Sequence, residues 1–461
     1  MDTIFNNKRF MHKFREYDRV TQYLLPPSLD DWLPKKHLAR FVVDIIDQLD
    51  LKKITSSYSH IGEKGYDPKI LLGMIFYGYA TGVFSSRKIE EKSYTCLAFR
   101  YIGANQHPDH DTIANFRKRF LKELKSLFLQ ILVIAKEMGI SKIGKVSLDG
   151  TKIKANASKH KALSYGYAKK LEEQLKAEIA ELMKKAQEQD DEITEDGMSI
   201  PDEISIRNKR LAAIGTAMVK IEKRTQERYE QEKADYDAKM EQRKIKEQET
   251  GKKIGGKPPA EPSSEPSSKD QINLTDEESR IMPTSGKAFE QCYNAQASVD
   301  METMMIVGCH VTNATNDKRE IEPALQELNK LPKTIADIKD ITADTGFQSL
   351  NNLILCIENN INPLIAENRE KHHPSPEERF KEPPPLSPNA SDVEKASHRL
   401  KTKEGKEIYA KRKSTVEPVF GIIKHIMGFR QFMLRGLENV SGEWDLVSIA
   451  WNLKRLHKLT T

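Results

Sequence analysis

The chain has 461 residues, of which 31% are charged and 7% aromatic, with a formal net charge of +6. No apolar run approaches the ~20 residues of a membrane span, and the opening MDTIFNNKRFMHKF lacks the apolar core of a signal peptide. Cys96, Cys292, Cys309 and Cys356 are scattered without a Cys-x2-Cys pair, which argues against a zinc ribbon or disulfide framework and for a reduced cytoplasm.

The charge is unevenly placed. Residues 401–461 hold 12 Lys and Arg against 6 Asp and Glu, so this end carries the whole surplus and the rest of the chain balances. A basic excess at one end points to an acidic partner such as nucleic acid, with a solvated basic tail as the plain alternative.

Leu38, Phe41, Val42, Ile45, Ile46 and Leu49 recur at three- and four-residue intervals and predict an amphipathic helix. Pro68 suits the start of a second helix over Lys69 to Ala80. Ser85 or Ser86 can cap a third, with Glu90 and Glu91 in its early turns. Asp111 is placed to cap a long helix carrying Phe116, Phe120, Leu124, Leu127, Ile131 and Ile134, ended by Gly139. Short helices followed by Arg117, Lys118 and Arg119 fit either a helix-turn-helix-like DNA-binding unit or a bundle with a solvated basic face.

From Lys145 the pattern changes. Val146 and Leu148 alternate with polar residues as in a half-buried strand, which contains Asp149 and runs into Gly150. A buried carboxylate requires a partner, a hydrogen bond or a metal. Lys152 and Lys154 share the face opposite Asp149 if the strand stays regular.

After Asn156, Leu171, Leu175, Ile179, Leu182 and Ala186 keep helical spacing, and Leu211, Ile214, Met218, Ile221 and Thr225 form a near-heptad seam. The two runs predict a helical hairpin joined by the acidic stretch Gln187 to Glu203; a coiled-coil adaptor is the purely structural alternative. Residues 252–270, KKIGGKPPAEPSSEPSSKD, read as a low-complexity linker.

Strand signals then return over Tyr293 to Val299 and Met304 to Thr312. A helix is expected over Ile321 to Leu331, and another strand reaches Asp344 ahead of Gly346. A helix over Leu350 to Asn359 and a strand over Asn362 to Ala366 complete a mixed α/β pattern. Treating Ser158 to Ile281 as an insertion leaves room for Asp149 and Asp344 on neighbouring strands. Glu367 to Leu400, with Pro383, Pro384 and Pro385, reads as a long irregular segment.

Glu417 lies near a helix start, with Ser414 or Thr415 available as cap and Pro418 in the first turn. Lys424, seven residues on, shares its helix face. Three oxygen ligands on separate elements suit Mg2+ or Mn2+, and a pair of such ions supports in-line phosphoryl transfer.

Several stretches together resemble the DDE transposases of bacterial insertion sequences. They are LLPPSLDDWLPKKHLARFVVDIIDQLD (24–50), YGYATGVFSSRKIE (77–90), HPDHDTIANFRKRF (107–120), SLDGTKIKANASKHKALSYG (147–166), ADTGF (343–347), KRKSTVEPVFGIIK (411–424) and GFRQFMLRGLENVSGEW (428–444). The resemblance assigns Asp149, Asp344 and Glu417 as the catalytic, metal-binding acids. Related enzymes carry a Tyr-x2-Arg-x3-Glu-x6-Lys pattern. Here Glu417 and Lys424 keep the last spacing, while Tyr409 and Arg412 keep the first; either Arg412 or Lys413 stands at the Arg position. Lys424, Arg412 and Tyr409 are thereby expected at the DNA, and Arg430 and Arg435 as further backbone contacts, phosphate binding being the generic use of such residues.

The implied fold is α/β: an RNase H-like mixed sheet flanked by helices, with an N-terminal all-α domain and a helical-hairpin insertion. The expected division is 1–140 for a helical DNA-binding or dimerisation domain, 141–157 and 282–461 for the catalytic domain, and 158–281 for the insertion and linker. The implied activity is metal-dependent cleavage and strand transfer of DNA at terminal inverted repeats, with two Mg2+ or Mn2+ ions per site and no covalent enzyme–DNA intermediate. The expected partners are transposon-end DNA, target DNA and further copies of the chain in a dimer or larger synaptic assembly. The expected setting is the bacterial cytoplasm, at the nucleoid when DNA is bound. The alternatives are a nuclease of the same fold that cleaves without joining, and a DNA-binding protein without activity.

Overall fold

The computed structural model describes residues 28–58, 65–140, 143–188, 199–250, 259–284, 288–367, 382–387 and 390–461. The first part is helical: α1 (Leu29–Trp32), α2 (Leu38–Gln48), α3 (Lys52–Thr55), α4 (Pro68–Thr81), α5 (Ser86–Thr95), α6 (Leu97–Ile102), α7 (His110–Arg119) and α8 (Leu124–Glu137). In α2 the expected stripe turns inward through Val42, Ile45 and Ile46. Asp67 caps α4 and Pro68 opens it. From Leu71 to Ala80 every residue of α4 is buried, as befits a helix that is apolar on all sides.

The long helix expected from Asp111 differs in two ways. Its cap is Asp109, which accepts from the Thr112 amide, and it divides into α7 and α8. Phe120 leaves helical geometry, and the break lets both Phe120 and Leu121 enter the core. There Phe120 lies against Tyr58 and Phe116. Arg117 does not project from a basic face: it donates to Tyr79 Oη and to the Phe84 carbonyl.

The sheet is built from β1 (Ile143–Lys154) onwards. After β1 come β2 (Ala162–Ser164), β3 (Gln271–Asn273), β4 (Arg280–Pro283), β5 (Phe289–Asp300), β6 (Ile306–Thr312), β7 (Ala336–Ala343) and β8 (Asn362–Ile365). In the main sheet β5 is antiparallel to β1, and its other edge takes β4 and β6 in succession. On the far side of β1, β7 and then β8 run parallel to it. The parallel strands are joined through α11 (Ile321–Leu328) and α12 (Leu350–Glu358). The carboxyl ends of β1, β6 and β7 therefore open on one side, the usual place for a site in such sheets.

Between β1 and β4 the chain leaves the sheet in α9 (Tyr165–Glu188) and α10 (Ile200–Thr250). They run antiparallel, since Arg207 pairs with Glu178 while Tyr165 bonds to Glu222. Leu171, Leu175, Ile214, Ala217 and Ile221 make an apolar core of their own with β2 and β3. The expected linker is partly anchored: Asp270 takes both arms of Arg228 and its carbonyl accepts from the Tyr165 amide. Its first residues, 252–258, lie outside the described residues.

The segment expected to be irregular from Glu367 ends in a helix, α13 (Asp392–Lys401), because Ser391 and Glu394 form a capping box. Most of the earlier part of that segment lies outside the described residues. Then follow α14 (Lys403–Ala410), a 3-10 turn (Lys411–Ser414), α15 (Val416–Gly421), a π-helical stretch (Ile422–Ile426) and α16 (Leu437–Thr460). The last is the spine of the molecule. Trp444, Leu446, Val447, Ile449 and Leu453 are fully buried, and its surroundings include α4, α8 and β6. One apolar core thus runs from the N-terminal helices through α16 into the sheet.

Candidate active site

β1 and β7 set the first two acids side by side. Val146 faces Ile341 and Ser147 faces Thr342, so continuing that parallel register two residues brings Asp149 beside Asp344. Each is fixed locally: Asp149 Oδ1 accepts from the Gly150 amide at 2.9 Å, and Asp344 Oδ1 from the Gly346 amide at 2.8 Å. Glu417 reaches the same place from the first turn of α15.

The three meet at one guanidinium. Arg412 Nη2 donates to Asp149 Oδ2 at 2.9 Å and lies 3.9 Å from Asp344 Oδ2, and Nη1 donates to Glu417 Oε1 at 3.3 Å. The Arg412 side chain is 9% exposed, Asp149 16%, Asp344 43% and Glu417 51%, so the group slopes from a buried floor to an open rim. Burial pushes the Asp149 carboxyl up to about 7; Arg412 opposes that rise and Asp344 adds to it.

The donor set suits a divalent metal: three carboxylates on separate elements already share one cation. Among the described residues no three acidic, imidazole or thiol groups stand close enough to grip an ion as they are, and here a guanidinium spaces the carboxylates.

The structure separates the expected DNA-contacting residues. Of the two candidates for the Arg position, Arg412 points into the carboxylates and Lys413 is exposed. Lys424 lies within the π-helical stretch, and its ammonium donates to the Lys152 carbonyl at 2.9 Å, near the end of β1. Burial, joined by Lys152, pulls its ammonium below the usual lysine range. Arg430 and Arg435 are exposed on the 428–436 loop, which runs along the end of β1. Arg430 bonds to the Lys424 carbonyl and Arg435 to the Asn156 carbonyl. Tyr409 is half-buried near the end of α14.

Sequence reasoning does not single out Asp317, in the loop after β6. Its Oδ1 accepts from Asn294 Nδ2 and Gln296 Nε2, each at 2.6 Å, with Lys152 Nζ at 3.5 Å. It also contributes to the rise of Asp149. This packing explains Gly150: a Cβ there would overlap the Gln296 amide and come within 2.6 Å of Asp317 Oδ1. The available signal was an Asp just past a strand whose carboxyl end shares the site's side of the sheet.

Two family models match. One described as Transposase domain (DUF772) covers residues 27–119, and one described as Transposase DDE domain covers residues 386–457. The second spans Arg412, Glu417 and Lys424, whereas Asp149 and Asp344 fall between the two. Neither the curated proteins nor the solved structures yielded a match. Both matches point to a DDE transposase of an insertion element, with a role in transposition. No helix among the described residues is long and apolar enough to cross a membrane.

Proposed function

We propose that this transposase binds the ends of its element, cleaves a DNA strand there and transfers the freed 3′ end to target DNA. The observation that carries the reading is the meeting of Asp149, Asp344 and Glu417 on Arg412, where β1 passes the carboxyl end of its parallel neighbour β7. Asp149, Asp344 and Glu417 would hold two Mg2+ or Mn2+ ions. Such ions, when bound, activate the attacking oxygen and stabilise the leaving one.

The chain's own part is placement. Asp149 and Asp344 come from adjacent strands of a packed sheet, so their spacing is set by the register. Lys424, Arg430 and Arg435 flank the extended end of β1 and supply the cationic surface for the DNA backbone. The order β6-β5-β1-β7-β8, with β5 antiparallel to its neighbours, supports an RNase H-like sheet. Residues 1–140 would serve DNA binding or dimerisation, 141–157 with 282–461 catalysis, and 158–281 would be an insertion, within a dimer or larger synaptic assembly.

The test is an assay with labelled element-end DNA and a target plasmid in Mg2+ or Mn2+. Joined product is expected. Nicking without joining would mean a nuclease, and binding without chemistry an inactive binding protein.

A further inference from the structure

Arg412 is an unusual residue to find at this place. A guanidinium stays charged at any working pH, and here its two terminal nitrogens are spent on the carboxylate oxygens that would take a metal, Asp149 Oδ2 and Glu417 Oε1. Its Nε is buried and has no hydrogen-bond partner. A buried donor left unpaired is unfavourable, so the side chain is held by attraction to the acids rather than by a complete set of hydrogen bonds. It arises from a 3-10 turn, Lys411–Ser414, and Thr415 after it leaves helical geometry (φ −111°, ψ −80°). Short 3-10 pieces of this kind are frequent hinges.

We infer that Arg412 is a resident counter-ion: it occupies the carboxylate site of the metal-free protein and withdraws when divalent metal binds. This rests on the reading of the three acids as metal ligands. Without a cation, three carboxylates would repel one another around a partly buried floor, and Arg412 keeps them assembled. A guanidinium and a divalent ion cannot share that space, because their charges repel and they compete for the same oxygens. Metal binding therefore selects molecules in which the 411–415 turn has swung away, and the apparent affinity is lowered by the fraction still closed.

The test uses full-length protein stripped of metal and titrated with Mn2+ by calorimetry. Arg412→Ala should bind Mn2+ about tenfold tighter than wild type or better, the gain expected if the closed form is ~90% populated or more. Asp149→Asn should bind poorly in either background. Equal Mn2+ affinity of wild type and Arg412→Ala overturns the inference while leaving the metal-site reading intact; failure of both to bind overturns both. Hydrogen exchange on the wild type guards against a misfolded variant. Mg2+ should speed exchange at the amides of 411–415, and unchanged or slower exchange there contradicts the withdrawal.

Discussion

Asp149 and Arg412 lie 263 positions apart in the chain and 2.9 Å apart in space. The contact ties the central strand of the sheet to the turn that precedes Glu417, so the floor of the site and its third acid are set by one side chain. The same relationship makes the geometry sensitive to the packing behind β1, around Gly150.

Gly150→Ala places a methyl group against the Gln296 amide, Asp317 Oδ1 and Asn294 Oδ1. Asn294 and Gln296 are fully buried and have little room to yield. We expect a loss of about 1–3 kcal/mol, as for overpacking in a close-packed interior, read from urea unfolding. Wild-type stability of this variant would mean that the Asp317 network is not closed over Gly150.

Glu443 on α16 holds the loop beside β1. Its Oε2 accepts from the Met433 and Leu434 amides, and Oε1 accepts from Tyr79 Oη. Burial pushes its carboxyl up, against the opposing pull of the Leu434 amide and Tyr79. The folded state therefore keeps a proton that the unfolded chain has released above the ordinary value of 4.5. Its contribution to stability is thus lost as pH rises from there through the folded value. Glu443→Gln should flatten this part of the stability–pH curve, measured by urea unfolding at a series of pH values; an unchanged slope would refute the assignment.

Arg430 and Arg435 are exposed where the loop borders the end of β1. Replacing both with Ala should weaken binding to DNA of any sequence and reduce the slope of log affinity against log salt by roughly 0.9 per lost phosphate contact. A fluorescence-anisotropy titration across salt concentrations reads this directly. An unaltered slope would place the DNA elsewhere.

Much of the architecture was legible because short-range patterns recorded it. The alternation around Val146 and Leu148 marks β1, and the three- and four-residue spacing of Val42, Ile45 and Ile46 marks α2. The three acids stood out because each sits in a recognisable local setting: beside Gly150, two before Gly346, and one before Pro418. Arg412 has the sequence setting of a DNA contact, and nothing local to it reveals that Asp149 lies within reach. Phe120 has the spacing of one more residue of a helical stripe, and its departure comes with ring contacts to Tyr58 and Phe116 that spacing does not reveal. The capping box at Ser391 and Glu394 was in the sequence, masked by the prolines before it. Local signals name the elements; contacts across hundreds of residues decide which side chains meet.

We propose that Asp149, Asp344 and Glu417 act together as a metal-dependent centre for DNA strand transfer. The most direct measurement is strand transfer of labelled element-end DNA into a plasmid, by wild type and by Asp149→Asn, Asp344→Asn and Glu417→Gln, in Mg2+, in Mn2+ and in chelator. Joining by the wild type is expected with either metal and none in chelator, with each variant reduced by at least about 10²–10³-fold, the scale on which losing one preorganised electrostatic group is felt. Full wild-type activity in any one of the three variants, or joining that persists in chelator, would contradict it.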